Sequence, residues 1–203
     1  MSDPRGPRFG RSIAELFVIF VGVSAAFFVE NYREGRQELQ ELEQAVDGLV
    51  FELGHYSERT LVHASAIERA LGDWQAEDAL GRRAIPGDYT IPGALRPPAP
   101  AWETTVASGT ANLLEPTIRM ELGWFYNEFL GIHDNHARQV EFSEREILPR
   151  ATLGPDAFYG ADGRVLPQFA VHMSLLEDFG TGLQRMARWA DSLRNVLLET
   201  GGR

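Results

Sequence analysis

A continuous apolar stretch near the N-terminus, residues 13–29, contains a single charged residue, Glu15, at its edge. As an α-helix it would be roughly 25 Å long, and Tyr32 can extend it to the membrane interface. The residues just before it include three arginines: Arg5, Arg8 and Arg11. Because positive charge favours the cytoplasmic side, we expect a single-pass protein of the bacterial inner membrane with a periplasmic main domain. The predicted parts are a cytoplasmic N-terminus 1–12, a transmembrane helix 13–32 and an extracytoplasmic domain 33–203.

A cleaved signal peptide is the alternative interpretation of this segment. Ser24, Ala25 and Ala26 form a small-residue cleavage pattern behind a basic start. Cleavage after Ala26 would leave an apolar new N-terminus beginning at Phe27, and the helical pattern continues through the cut. These features favour retention as an anchor.

One face of the predicted transmembrane helix carries smaller residues. They recur at every fourth position: Ala14, Val18, Gly22 and Ala26. Gly22 and Ala26 form a small-xxx-small pair, which lets another helix approach closely. We therefore expect helix packing with another membrane-protein subunit or with a second copy of the chain. No ionisable residue lies in the middle of the span, which argues against ion or proton translocation.

Beyond the membrane, apolar residues follow a heptad rhythm that predicts a helix over about 12–75. The seam consists of Leu39, Leu42, Val46, Leu49, Leu53 and Tyr56, and it continues less purely through Thr60, His63, Ile67, Ala70 and Trp74. Such a seam forms a coiled coil with another copy or packs against later helices of its own chain. The additional apolar residues Ala45, Val50 and Phe51 widen the stripe and favour packing within the chain.

The rest of the chain predicts an all-α fold. Proline and glycine interrupt any helix over about 81–100, and a short helix follows at about 101–108. Pro116 opens another helix, and a last helix covers about 169–199, weakened near Gly180 and Gly182. We expect the two further long helices to join the juxtamembrane helix in an antiparallel extracytoplasmic bundle.

Charge and composition exclude several function classes. The net charge is −10, and because residues 1–14 carry +2, the remainder carries −12. An acidic body repels phosphate backbones, so we expect no nucleic-acid partner. The chain has no cysteine, which excludes disulfides, thiolate metal sites and cysteine nucleophiles.

Few residues suggest site chemistry, and no catalytic or cofactor-binding motif is found. His133 and His136 share a helix face and are weak candidates for metal ligands, with Glu141 or Glu144 as a third ligand. The favoured alternative places both histidines on a solvated helix face. Three further histidines are isolated in the sequence: His55, His63 and His172. The aromatic group formed by Trp124, Phe125, Tyr126 and Phe129 is expected to build the core.

Two blocks of sequence resemble a known family. The run AELFVIFVGV at 14–23, followed by NYREGR at 31–36, resembles the opening of a family of uncharacterised bacterial single-pass inner-membrane proteins. The segment AWE at 101–103, through Ser108 and Gly109 to NLL at 112–114, resembles that family's second recurring block. Gly35 departs from the usual pattern. The resemblance implies a membrane-anchored helical protein, and it supplies no activity and no functional residues. Because no cofactor-binding motif is found, we expect no cofactor.

These observations favour a non-enzymatic accessory subunit. The small-residue face and the missing catalytic set suggest a structural or assembly subunit of a larger membrane complex, of respiratory or photosynthetic type for example. The alternative is a periplasmic sensor or ligand-binding module tethered to the membrane.

Overall fold

The computed structural model describes residues 8–87 and 100–201. Within these ranges the side chains of residues 8–16, 18, 19 and 201 are not described. The predicted cytoplasmic N-terminus therefore lies largely outside the described residues, and so does most of the predicted loop 81–100. Of that loop, residues 81–87 are described and include two turns with glycine at positive φ, Gly81 and Gly87.

The described residues are almost entirely helical, which confirms the all-α fold class. Five α-helices follow one another: α1 Arg8–Ala79, α2 Pro100–Ala107, α3 Pro116–Phe142, α4 Leu148–Ala151 and α5 Pro167–Gly201. Pro116 occupies the first turn of α3, as the sequence predicts. A π-helical turn, Ser143–Ile147, links α3 to α4, and short 3₁₀ turns lie at Thr110–Leu113 and Pro155–Phe158. Two compact units divide the chain, Met1–Gln44 and Ala45–Arg203.

The first unit contains the N-terminal part of α1. Its described large apolar side chains between residues 17 and 32 are all exposed, by 47% to 80%: Phe17, Phe20, Val21, Val23, Phe27, Phe28, Val29 and Tyr32. Within the part of the chain that the structure describes, no helix is both long enough and apolar enough to cross a membrane. Within the predicted transmembrane segment, the side chains of residues 13–16, 18 and 19 lie outside that part.

In the second unit, the heptad seam of α1 is buried within a single chain. The buried members are Leu49, Leu53, Tyr56, Thr60, His63 and Ile67. This burial agrees with the prediction that the seam packs against later helices of the same chain. Phe51 does not belong to the buried stripe, because its side chain is 78% exposed. The stripe is therefore narrower at this point than the sequence suggests.

The three long helices do not all alternate in direction. Tyr56 of α1 contacts Phe129 of α3, with ring centroids 4.2 Å apart, and His63 meets His136 further along both helices. Residue numbers rise together along this contact, so α1 and α3 run parallel within the second unit. The expectation of an antiparallel arrangement is wrong for this pair. Ala101 of α2 donates a hydrogen bond to Glu52 of α1, so α2 begins beside an earlier turn of α1 and α3 follows from there in the same direction.

Helix α5 runs antiparallel to α3 and is continuous through both of its central glycines. Phe125 contacts Trp189, whereas His136, later in α3, contacts Phe179, earlier in α5. A Cβ on Gly180 would lie 3.1 Å from Cγ2 of Ile67, and one on Gly182 would lie 3.5 Å from Cδ1 of Ile132. Although Gly180 and Gly182 weaken the predicted helix, they do not break it. They allow α5 to approach α1 and α3 closely.

A small second core lies around the connection between α4 and α5. Its buried members are Ile147, Phe158 and Phe169. The hydroxyl of Tyr159 accepts a hydrogen bond from the backbone N–H of Ala84 at 3.1 Å and donates one to the Ala84 carbonyl at 3.0 Å. This pair ties the chain that follows α1 to the segment before α5.

Candidate functional site

The sequence predicts that His133 and His136 share one helix face, but the structure gives their side chains different surroundings. His136 is 5% exposed and points into the core, whereas His133 is half-buried. Among the residues that the structure describes, no group of three or more histidines and acidic residues is placed to hold a metal ion. The alternative of two solvated histidines is wrong for His136, because the buried stripe of α3 extends through it.

His136 instead meets His63 of α1. The two ring centroids lie 6.0 Å apart, and the rings are arranged edge to face at 81°. The other flank of His136 faces Phe179 of α5 at 6.1 Å. The two imidazoles thus lie where α1, α3 and α5 come together.

These histidines belong to a larger set of buried polar side chains, which we call the buried polar cluster. Its members, each at most 5% exposed, are Tyr56, Thr60 and His63 on α1 and His136 and Gln139 on α3. Aliphatic and aromatic side chains, including Phe125, Phe129 and Phe179, surround these positions. A polar cluster in such surroundings requires hydrogen-bond partners or a bound group.

Three members of the cluster each have one buried atom without a hydrogen-bond partner in the described part of the chain. The atoms are His63 Nδ1, His136 Nε2 and Gln139 Oε1. The hydroxyls of Tyr56 and Thr60 pair with each other instead. Leaving a buried polar atom unpaired costs about 1–3 kcal/mol, so folded proteins rarely do so without a reason. Three such atoms on two facing helices mark this place as suited to binding an ordered water, ion or polar ligand.

Burial sets the protonation state of the two central histidines. It is the main cause that lowers the pKa of His63, and the positive charge of Arg59 lowers it further. Burial also lowers the pKa of His136, with smaller contributions from His63 and His133. Both rings are therefore neutral at pH 7, and each neutral imidazole presents one nitrogen lone pair.

A second polar contact joins three helices but is fully paired. Glu52 is 7% exposed; its carboxylate accepts a hydrogen bond from the Tyr126 hydroxyl at 2.5 Å and another from the Ala101 backbone N–H at 2.9 Å. Burial raises the pKa of Tyr126, and the carboxylate beside it raises it further. Trp102 stacks on the Tyr126 ring at 5.5 Å. This arrangement holds α2 against α1 and α3, and we assign it a structural role.

The remaining residues considered from sequence lie apart from the cluster. His55 is exposed on α1, and its ring stacks beside that of Phe51. His172 is buried against Phe142 at 4.4 Å, and burial lowers its pKa to about 4. The predicted aromatic core is confirmed for Phe125, Tyr126 and Phe129, whereas Trp124 is 57% exposed.

The predicted helix-packing face falls partly outside the described side chains. Those of Ala14 and Val18 are not described, and Gly22 and Ala26 are exposed. A Cβ on Gly22 would meet nothing within 4 Å among the described atoms. Packing of another helix on this face stays a prediction.

Sequence reasoning missed Gln139 and Glu52 and assigned the wrong neighbour to His136. For α3, the spacing of residues along the sequence could have identified the buried face. Its buried residues Phe125, Phe129, Ile132, His136 and Gln139 follow spacings of four, three, four and three residues. Extending the apolar stripe by this rhythm places His136 and Gln139 on the buried face. Nothing comparable in the local sequence identifies Glu52, whose partners are both far along the chain.

Comparison with known proteins adds no relative to this picture. No family model, no curated protein and no solved structure matches the chain. The resemblance of residues 14–23 and 31–36 to uncharacterised bacterial membrane proteins accordingly stays a prediction.

Proposed function

We propose that this chain is a non-enzymatic, single-pass protein of the bacterial inner membrane that acts as a structural or assembly subunit of a larger membrane complex. The observation that carries the proposal is the uncovered apolar surface of α1 between residues 17 and 32. Single exposed apolar side chains are ordinary in proteins, but a continuous group of them requires lipid or a protein partner. This proposal includes membership of the family of single-pass membrane proteins that the sequence resembles.

The distribution of side chains around α1 favours lipid on most sides. At 100° per residue, the exposed large apolar side chains between Phe17 and Tyr32 cover about 240° of the helix circumference. Gly22 and Ala26 fall in the remaining sector. A helix of this kind offers large side chains to lipid and a narrow small-residue face to another helix.

Length and flanking charge support the same assignment. Residues 13–32 as a helix span about 30 Å, which matches the hydrocarbon thickness of a bilayer. The arginines before them favour a cytoplasmic N-terminus, with the domain after residue 32 in the periplasm. The complex to which the subunit belongs would then be recognised through the face of Gly22 and Ala26 and through the outer domain.

A pair of variants tests the assembly role. The full chain is extracted from membranes in a mild detergent and its size is measured by gel filtration. We expect wild type to elute in a complex larger than the chain alone. Gly22→Leu fills the small-residue face and should release the chain from that complex while leaving it in the membrane fraction.

Phe28→Leu is the matched control, because it alters an exposed apolar side chain outside the small-residue face and keeps it apolar. It should behave as wild type. A wild-type chain that elutes alone, or equal behaviour of the two variants, contradicts the proposal. Self-association would appear as a complex containing this chain only.

A second candidate function is a membrane-tethered sensor or ligand-binding module. The observation that favours it is the buried polar cluster, whose unpaired atoms destabilise the unliganded fold. If the cluster exists for a ligand, replacing its polar atoms with apolar ones should not reduce stability. We expect the double variant His63→Leu/His136→Leu to match or exceed the unfolding free energy of unliganded wild type. A loss of several kcal/mol would indicate a purely structural role.

A further inference from the structure

The two imidazoles of the buried polar cluster come from different helices and meet inside the protein. Their ring centroids are 6.0 Å apart. Imidazole nitrogens bind zinc-like ions at about 2.0–2.1 Å, so two imidazoles on one tetrahedral ion have ring centroids roughly 5–6 Å apart. The observed separation therefore permits both rings to bind one ion after small adjustments.

The atoms available at this position are the right kind for a transition-metal ion. His63 Nδ1 and His136 Nε2 are buried and have no hydrogen-bond partner in the described part of the chain. Gln139 Oε1 is in the same condition and lies one helical turn from His136. The buried hydroxyl of Thr60 lies one helical turn from His63. A set of two imidazoles with neutral oxygens and water suits zinc, cobalt, nickel or copper rather than calcium or magnesium.

A groove on the protein surface lies beside one of the two histidines. His63 lines this open groove of about 330 Å³, which also contains His55 and Glu58, together with Arg59.

We propose that His63 and His136 bind a divalent transition-metal ion inside the helical domain, with oxygens of Thr60, Gln139 or water completing its coordination. This pairing replaces the sequence-based pair His133 and His136. The site does not depend on the membrane anchor, so its failure would leave the assembly proposal intact. If it exists, it supplies the ligand for the second candidate function.

Cobalt titration of the purified full chain tests the proposal. The chain is treated with a chelator, and CoCl₂ is added while the visible absorption of Co²⁺ is recorded. We expect a saturable, one-to-one signal of tetrahedral type that ZnCl₂ displaces. His63→Leu and His136→Leu should each weaken cobalt binding by about 100-fold or more, because each removes one of two imidazole ligands.

His55→Leu and His133→Leu are the matched controls, since both histidines lie near the site but outside the proposed ligand pair. They should leave cobalt affinity within about two-fold of wild type. Imidazole nitrogen NMR shifts of His63 and His136 on zinc addition provide a second measurement that needs no variant. Absence of a saturable cobalt signal, unchanged imidazole shifts, or a loss caused by His133→Leu equal to that of His63→Leu overturns the proposal.

Discussion

Three phenylalanines on α1 are each at least two-thirds exposed but lie in different surroundings. Phe20, Phe28 and Phe51 are 67%, 80% and 78% exposed. Around Phe20 and Phe28 the described side chains from 20 to 34 are exposed too, apart from half-buried Ser24. Phe51 instead lies between Leu49 and Leu53, both fully buried. Exposure of a single residue therefore says little, whereas exposure of all its neighbours distinguishes the two regions.

Each part of α1 is suited to a different medium. Residues 49–67 bury one side of the helix and expose the other, as expected of a helix that packs against protein and faces water elsewhere. Residues 17–32 are apolar on most sides and have no buried face among their described side chains. In water such a segment would associate with any apolar surface, so the arrangement fits lipid and one partner helix.

The largest expected effect comes from truncating the buried side of residues 49–67. Leu53→Ala removes a fully buried side chain and should lower the unfolding free energy by about 2–5 kcal/mol. Phe51→Ala, two positions away on the exposed side, should change it by no more than about 0.5 kcal/mol. Urea unfolding followed by circular dichroism measures both. Equal losses would remove the distinction between the two sides of the helix.

Lowering the pH should reduce the folding stability of the second unit, but it should not affect the exposed segment, residues 17–32. For His172 the pKa in the folded state, about 4, lies below the unfolded value near 6.5. The unfolded chain therefore binds the proton first, and stability is lost as pH falls from about 6.5 to 4, by up to about 3 kcal/mol. His63 and His136 shift in the same direction.

Unfolding midpoints measured from pH 7 to pH 4 check this dependence. His172→Leu should make the loss shallower, because a buried titrating group is removed. A stability that is flat across this range would contradict the burial of these rings.

Removing a buried hydroxyl should have a smaller effect. Tyr126→Phe leaves the buried Glu52 carboxylate with only the Ala101 N–H as a described partner, which should cost about 1–3 kcal/mol. Tyr32→Phe, in the exposed segment, should cost almost nothing. Chemical unfolding measures the free energy of both variants. A larger loss from Tyr32→Phe than from Tyr126→Phe would contradict the distinction between the buried and exposed regions.

The smallest expected effects come from adding a methyl group to two glycines. Gly72→Ala, with open space around the new Cβ among the described atoms, should stabilise by about 0.5–1 kcal/mol. Gly180→Ala should instead lower the unfolding free energy by about 1 kcal/mol, because the new Cβ would lie 3.1 Å from Ile67 Cγ2. A double-mutant cycle with Ile67→Ala should show coupling for Gly180 and none for Gly72.

Local sequence signals predict where the helices lie along the chain, but not which helices pack against one another. Pro116 marks the start of α3 because proline fits the first helical turn, and the seam from Leu49 to Ile67 is buried as its spacing indicates. Periodicity identifies a buried face but not the helix that covers it. The contact between His63 and His136 depends on α1 and α3 running parallel, and no local pattern encodes the direction of one helix relative to another.

Because local signals do not report tertiary packing, they also mislead at the two central glycines of α5. Low helix propensity at Gly180 and Gly182 suggests a break, yet the helix is continuous. Close packing of Ile67 against Gly180 needs a residue without a side chain, so tertiary packing decides the outcome. Candidate site residues are harder still to predict, since Glu52 gains its role only from distant partners.

The most direct test of the two-medium account compares the three phenylalanines in a lipid bilayer. The chain has no cysteine, so Phe20→Cys, Phe28→Cys and Phe51→Cys each provide a unique site for a nitroxide label. Collision of each label with oxygen, which concentrates in lipid, and with a water-soluble nickel chelate is measured by electron paramagnetic resonance. The account predicts that labels at 20 and 28 collide with oxygen and the label at 51 with nickel. Equal nickel accessibility at all three positions would contradict it.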